Sequence, residues 1–223
     1  MKLVITNNWT GLGDLLSQST LPELYTKLYG FEVYMSESQV FRNENNRKLI
    51  MMDPYIKGYA DESTNLVMEQ TFNSPFPYDL NNTNYVARIE HMIFGKVFNN
   101  YPKIYYHPKF LPEWKDITFI DLNSINYNSE YKDKKDNFRE YIKEHYENYQ
   151  FAPDDFQSLD ILDYIDIIFS CKKFICTFSG NSEVASAINK QNVDCLVPQD
   201  ILNVRVYNCS MVHMYDNINY IGI

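Results

Sequence analysis

Short apolar runs alternate with polar turns along the chain, and their spacing switches between strand-like and helical periods. Residues 2–6 (KLVIT) make a buried-type strand, and residues 7–13 a glycine loop. From Asp14, the positions Leu15, Leu16, Leu21, Leu24, Tyr25 and Leu28 form the inner stripe of a helix. Pro22 interrupts it. A proline inside a helix removes a hydrogen bond and crowds the preceding turn, so a kink or restart is expected near Thr20. Gly30 ends the helix, and residues 31–35 give a second strand. A polar stretch, 36–47, leads to the apolar run 48–52 (KLIMM), read as a third strand, and residues 66–69 as a fourth. Residues 53–65 and 71–84 are turn-rich. Residues 85–94 have helical spacing in Val86, Ile89, Ile93 and Phe94, with Arg88, Glu90 and His91 toward the other side, and 104–106 completes a first half as a strand.

Residues 108–116 (PKFLPEWKD) hold two prolines and mixed charge, which makes them an extended boundary between units 1–110 and 111–223. The pattern then begins again. It runs through a strand at 117–122, a polar loop at 123–136, an amphipathic helix at 137–149, and a helix opened by the capping pair Asp154 and Gln157 and ending near Ser170. A strand at 173–177, a small-residue helix at 182–189 and a strand at 194–197 follow; the tail, 205–223, has β-like alternation in places and is free to cross back to the first unit. Strands alternating with helices predict an α/β fold with parallel sheets and right-handed connections.

Composition narrows the classes of function. With 223 residues, 45% of them apolar and 16% aromatic, the chain can bury a real core. Its formal net charge is −9 and no Lys/Arg cluster exceeds three, which argues against nucleic acid as a partner because neutralising a duplex's phosphates needs a basic face. Cys171, Cys176, Cys195 and Cys209 lack paired C-x-x-C spacing and read as buried reduced thiols. No run reaches the roughly 20 apolar residues of a membrane span, and no basic start precedes a long apolar core, so a cytoplasmic protein without a transmembrane segment is expected. Asp160, Asp163 and Asp166 recur every three residues on one helix face. They invite a metal reading, but a solvated face explains them better, since Leu159, Ile161, Leu162, Ile165, Ile168 and Phe169 supply the buried side and no His or Cys joins them.

Two stretches carry candidate chemistry. In residues 174–188 (FICTFSGNSEVASAI) a β-rich run ends at Thr177-Phe178-Ser179-Gly180 and becomes an alanine-rich helix, so backbone N–H groups at a helix start face a cleft beside a strand end, where an anion fits. The alternative is an ordinary strand-turn-helix corner, with Gly180 for the turn and Asn181 or Ser182 as N-cap. The second stretch, residues 1–24, is again strand, glycine loop (Gly11, Gly13) and helix start, with Asp14 at the loop's end. Lys57 and Tyr59 lie just past the apolar run 48–52, on the sheet edge where ligands bind, or else on a solvated loop.

Taken together the two stretches resemble the facing halves of a GT-B glycosyltransferase, in particular the family 9, heptosyltransferase-like group. That family has a Gly-Asp loop after its first strand and a Thr-Leu-Pro segment, matched here by Gly13-Asp14 and Thr20-Leu21-Pro22. Its second domain has a loop of the type Asp-[ST]-Gly-x-[SM]-His before an alanine-rich helix; Ser179, Gly180 and Ser182 match, while Phe178 stands in place of Asp and Glu183 in place of His. The resemblance implies two small Rossmann-like halves with parallel sheets facing across a cleft. It implies a nucleotide-sugar as donor substrate and a glycan or small-molecule acceptor, with no separate cofactor. Asp14 would be the base that deprotonates the acceptor, or alternatively an N-cap; Thr177, Ser179, Gly180, Asn181, Ser182 and Glu183 would hold the donor; and Gly11, Gly13, Lys57 and Tyr59 would line the acceptor side or loop. The chain has no Asp-x-Asp pair of the kind that holds a divalent metal, consistent with metal-independent transfer. A catalytically silent nucleotide-sugar binder and a sugar-nucleotide epimerase or hydrolase stay open as alternatives.

Overall fold

The computed structural model describes residues 1–7, 10–63, 66–70, 84–123, 134–153, 159–207 and 214–223. Its elements are β1 (Lys2–Asn7), α1 (Leu12–Leu16), α2 (Leu21–Tyr29), β2 (Glu32–Ser36), α3 (Glu44–Ile50), β3 (Ile56–Ala60), β4 (Leu66–Gln70), α4 (Tyr85–Phe94), β5 (Thr118–Asp121), α5 (Lys135–His145), β6 (Tyr149–Phe151), α6 (Ile161–Ser170), β7 (Lys173–Thr177), α7 (Gly180–Ala187), β8 (Val193–Val197), α8 (Gln199–Tyr207) and β9 (Asn219–Gly222). They build two sheets, ordered β3-β2-β1-β4 and β6-β5-β7-β8-β9. Among the described residues every pairing is parallel: Val4 opposes Tyr34 on one side and Val67 on the other, and Ile175 opposes Ile120 and Asp194. Helices between parallel strands cover both faces, so β7 and β8 are almost wholly buried, as their continuous apolar runs require.

The helix restart at Thr20 is present: α1 stops at Leu16, and α2 begins with Pro22 in its first turn, where the missing N–H is harmless. Gly30 closes α2 in the left-handed conformation, φ 69°. Several expectations are corrected. Residues 48–52 are no strand. Asn43 caps α3 by accepting from Asn46 N at 2.8 Å, and Leu49 and Ile50 are that helix's buried side; a short apolar run carries no period of its own. The third strand is instead β3, inside the turn-rich segment, where half-exposed residues at a sheet edge disguise it. Residues 104–106 form no strand, and the backbone on either side of them is tied to side chains: Lys103 N donates to Ser19 Oγ (2.7 Å), Lys109 N to Asp166 Oδ1 (2.8 Å) and Leu111 N to Ser170 Oγ (2.7 Å). Helix α5 ends at His145, and Tyr149–Phe151 is the edge strand β6.

Asp154 and Gln157 lie outside the described residues; α6 is capped by Asp160, which accepts from Leu162 N at 2.8 Å. The three aspartates of that helix do not share one solvated face. Asp160 pairs with Lys48 Nζ at 2.5 Å, Asp163 is exposed, and Asp166 is buried where it accepts Tyr106 OH and Lys109 N. Arg88 and Glu90 are also buried rather than outward, Glu90 because its carboxylate caps the next turn at Phe98 N and Asn99 N. The tail, free to cross back in the sequence reading, ends as β9 beside β8 in the second sheet. Cys171, Cys176 and Cys195 are buried and free, and Cys209 lies outside the described residues. One apolar cluster runs continuously from Leu15, Leu16, Met35 and Leu49 to Tyr164, Phe174, Val184 and Ala185, and joins the two sheet layers through α1 on α7 and α3 on α6.

Candidate functional site

The first wall of the site is the turn from β1 into α1. Gly11 is the N-cap and offers no side-chain cap bond, so Asp14 is not the cap; it stands in the first turn. Its carboxylate folds back over the glycine: a Cβ on Gly11 would lie 2.8 Å from Asp14 Oδ2, and 3.9 Å from Arg42 Nη1. Arg42 is delivered there by the segment after β2, whose Arg42 N donates to Thr10 O (3.3 Å) while Asn46 Nδ2 donates to the same carbonyl (3.1 Å). Sequence alone gave no sign of Arg42, which sits in a featureless polar stretch. Only the pairing of β2 beside β1 brings it to the glycine loop.

The second wall is the turn from β7 into α7. Ser179, not Asn181 or Ser182, is the N-cap, accepting from Asn181 N at 3.4 Å. Asn181 points inward, donating to Asp121 Oδ2 (2.8 Å) and Asn123 O (3.2 Å), and Ser182 Oγ donates to Ser179 O (2.7 Å). Asp121, at the carboxyl end of β5, is fully buried, which raises its pKa although Tyr164 OH donates to it at 2.7 Å. Glu183 is buried too. Tyr215 OH donates to its Oε2 at 2.7 Å and Ser17 Oγ at 3.4 Å, so this carboxylate links α1, α7 and the C-terminal segment. Phe178 is a core residue, edge-on to Tyr220 at 6.1 Å between centroids. Of the six donor-side candidates, Thr177, Asn181, Ser182 and Glu183 are buried, and Ser179 and Gly180 are half-exposed.

The two walls touch. A Cβ on Gly180 would lie 3.1 Å from both Gly13 N and Leu12 Cβ, and one on Gly13 would lie 3.5 Å from Gly180 Cα and Glu183 Cγ. Glycine at position 180 lets the first turn of α1 lie directly on that of α7, while a Cβ at position 13 would make ordinary contact. The start of α4 closes the third side: burial raises the pKa of Tyr85, the charges of Asp14 and Glu183 add to this, and Arg88 opposes it, so these four groups share one neighbourhood. Asp14 and the Ser179–Glu183 segment are thereby brought together.

Lys57 is not part of this group; it is exposed and donates to Pro54 O at 3.1 Å. Tyr59 is separate as well, lining an open groove with Glu37, Gln39, Phe41, Asn43, Glu44 and Arg47. Beneath the first sheet a small cavity of about 40 Å³ is bordered by Ile5, Leu15, Gln18, Asp53, Lys103 and Tyr105, and burial pushes the Asp53 carboxyl up to about 7. Among the described residues there is no group of three or more His, Cys, Asp or Glu side chains that could hold a metal ion, and no helix long and apolar enough to cross a membrane.

No family model matches the chain, and no curated protein sequence does. Solved structures do. The chain is similar to the iron-containing dodecameric heptosyltransferase TibC of enterotoxigenic E. coli, solved with ADP-D-β-D-heptose (14% identity, TM-score 0.62, covering 88% of this chain and 58% of that one). It is similar to a family 9 glycosyl transferase from Veillonella parvula (9% identity, TM-score 0.61, 100% and 86%) and to the E. coli ADP-heptose lipopolysaccharide heptosyltransferase II (11%, 0.58, 99% and 90%). The chain thus spans under three fifths of the length of TibC. The architecture is that of the GT-B glycosyltransferases, two parallel-sheet layers in the same arrangement.

Proposed function

We propose that this chain, which has the GT-B fold, transfers a sugar from a nucleotide-sugar to a glycan or small acceptor, with residues 1–110 as acceptor-side unit and 111–223 as donor-side unit. The observation that supports it is the direct packing of the Gly13-Asp14 turn on the Ser179-Gly180 turn, two motif-bearing segments far apart in sequence. Inverting transfer needs a base beside the acceptor hydroxyl and a donor-rich cradle for the departing phosphate. Asp14 supplies the first. The backbone N–H groups at the start of α7, with the half-exposed Ser179 and Gly180, supply the second, aided by the positive end of the helix and by Arg42. Transfer on this reading is metal-independent and takes place in the cytoplasm.

One observation favours a second reading, a silent nucleotide-sugar binder. Asn181, Ser182 and Glu183 all spend their side chains inside the protein, and Glu183 brings a negative charge where the departing phosphate would need a positive one. A thermal-shift screen against ADP-, UDP-, GDP- and CMP-sugars separates the readings, with ADP-heptose included because TibC was solved with it. A ligand at a hundred times its Kd stabilises the folded state by about 2.7 kcal/mol. A shift accompanied by release of the nucleotide in the presence of acceptor supports transfer; a shift without turnover supports the silent binder; no shift with any of them rejects both.

A further inference from the structure

The groove at the edge of the first sheet is separate from the α1–α7 junction but bonded to its glycine loop. Asn7 N donates to Gln39 Oε1 at 2.7 Å, and Arg42 N and Asn46 Nδ2 both donate to Thr10 O, so the groove wall and the loop before Asp14 form one hydrogen-bonded unit. Tyr59 is 36% exposed, and Arg47 fixes its ring, donating from Nε to Tyr59 OH at 3.0 Å with the guanidinium 5.6 Å from the ring centroid. Phe41 adds a second aromatic side chain. Around these rings stand Glu37, Glu44, Gln39 and Asn43.

We infer that this groove is a subsite for an uncharged pyranose unit of the acceptor. A sugar ring offers C–H groups that pack on an aromatic face and hydroxyls that donate to carboxylates, and the groove presents both. Its charge selects against phosphorylated sugars. The lining holds two carboxylates and one cation, and that cation is already engaged with Glu44 (3.3 Å) and Tyr59. Glu37 makes no side-chain hydrogen bond or ion pair among the described residues, so its carboxylate is available to sugar hydroxyls. The role as an acceptor subsite rests on the transfer reading; binding of the sugar does not.

The test is saturation-transfer NMR on the full chain with the methyl glycosides of glucose, galactose and N-acetylglucosamine, each beside the corresponding 6-phosphate. At least one neutral glycoside should receive saturation, strongest at ring C–H protons, and bind at least tenfold more tightly than its phosphate. Tyr59→Ala and, separately, Glu37→Gln should each weaken it tenfold or more, with the fold of each variant checked by circular dichroism. Tighter binding of the phosphates, or no signal from any of the six probes that depends on Tyr59 or Glu37, overturns the inference. The nucleotide-sugar thermal shift of the wild-type chain, recorded in parallel, reports on the other site, so the two readings fail separately.

Discussion

Single residues account for the two positions at which the second motif differs from the family 9 pattern it resembles. Phe178 is a core side chain and Glu183 a buried junction, so protein neighbours constrain both positions. Gly180 makes protein contact as well as lining the proposed cradle. Gly180→Val would press methyl groups against Gly13 N and Leu12, and should lower stability by about 1–3 kcal/mol, seen as a fall in Tm, as well as weaken donor binding. A valine variant with unchanged Tm would mean that the two turns do not pack. Asp53 gives a pH-dependent case. Its folded-state pKa of about 7 lies above the ordinary carboxylate range, so the folded protein keeps a proton that the unfolded chain releases, and stability declines as pH rises from about 4 to 7. Asp53→Asn keeps an acceptor for Tyr55 N, which donates at 2.8 Å, and removes the charge. The variant should gain on the order of 1–4 kcal/mol over wild type at pH 8 and little at pH 4 in denaturant titrations.

Elements were legible where the pattern was long and illegible where it was short. Strands β1, β2, β5, β7 and β8 and helices α2 and α4 follow directly from apolar spacing and stops such as Gly30. The apolar run 48–52 was ambiguous, since five residues fit either period, and the Asn43 cap that decides the matter lies five positions upstream. Polar ties were also hidden: nothing in sequence says that Asn181 leaves the cleft to bind Asp121, sixty residues away, and so fastens α7 to β5. Asn181→Ala removes that donor from a buried carboxylate and should destabilise by about 1–3 kcal/mol in urea unfolding. A neutral result would show that Tyr164 OH and Asn123 N satisfy Asp121 by themselves.

At the scale of the whole molecule, two parallel sheets could be inferred from repeated strand and helix patterns; β1 to β4 form the first and β5 to β9 the second. The strand order, with β1 and β7 each between two neighbours, was not readable, and with it went the convergence of Arg42, Tyr85 and Arg88 on the loop. If transfer takes place at that convergence without a metal, EDTA should leave donor binding and turnover unchanged; loss restored by Mn²⁺ or Mg²⁺ would contradict the metal-independent reading. The central claim, that Asp14 acts as base beside a donor cradle at the start of α7, is tested most directly by Asp14→Asn, with donor affinity from calorimetry and turnover measured on the same preparation. Asn keeps the shape and removes the basic charge, so the account predicts donor affinity within about twofold of wild type and turnover lower by a factor of about 10² to 10⁴. Undiminished turnover, or loss of donor binding with the fold intact, would contradict it.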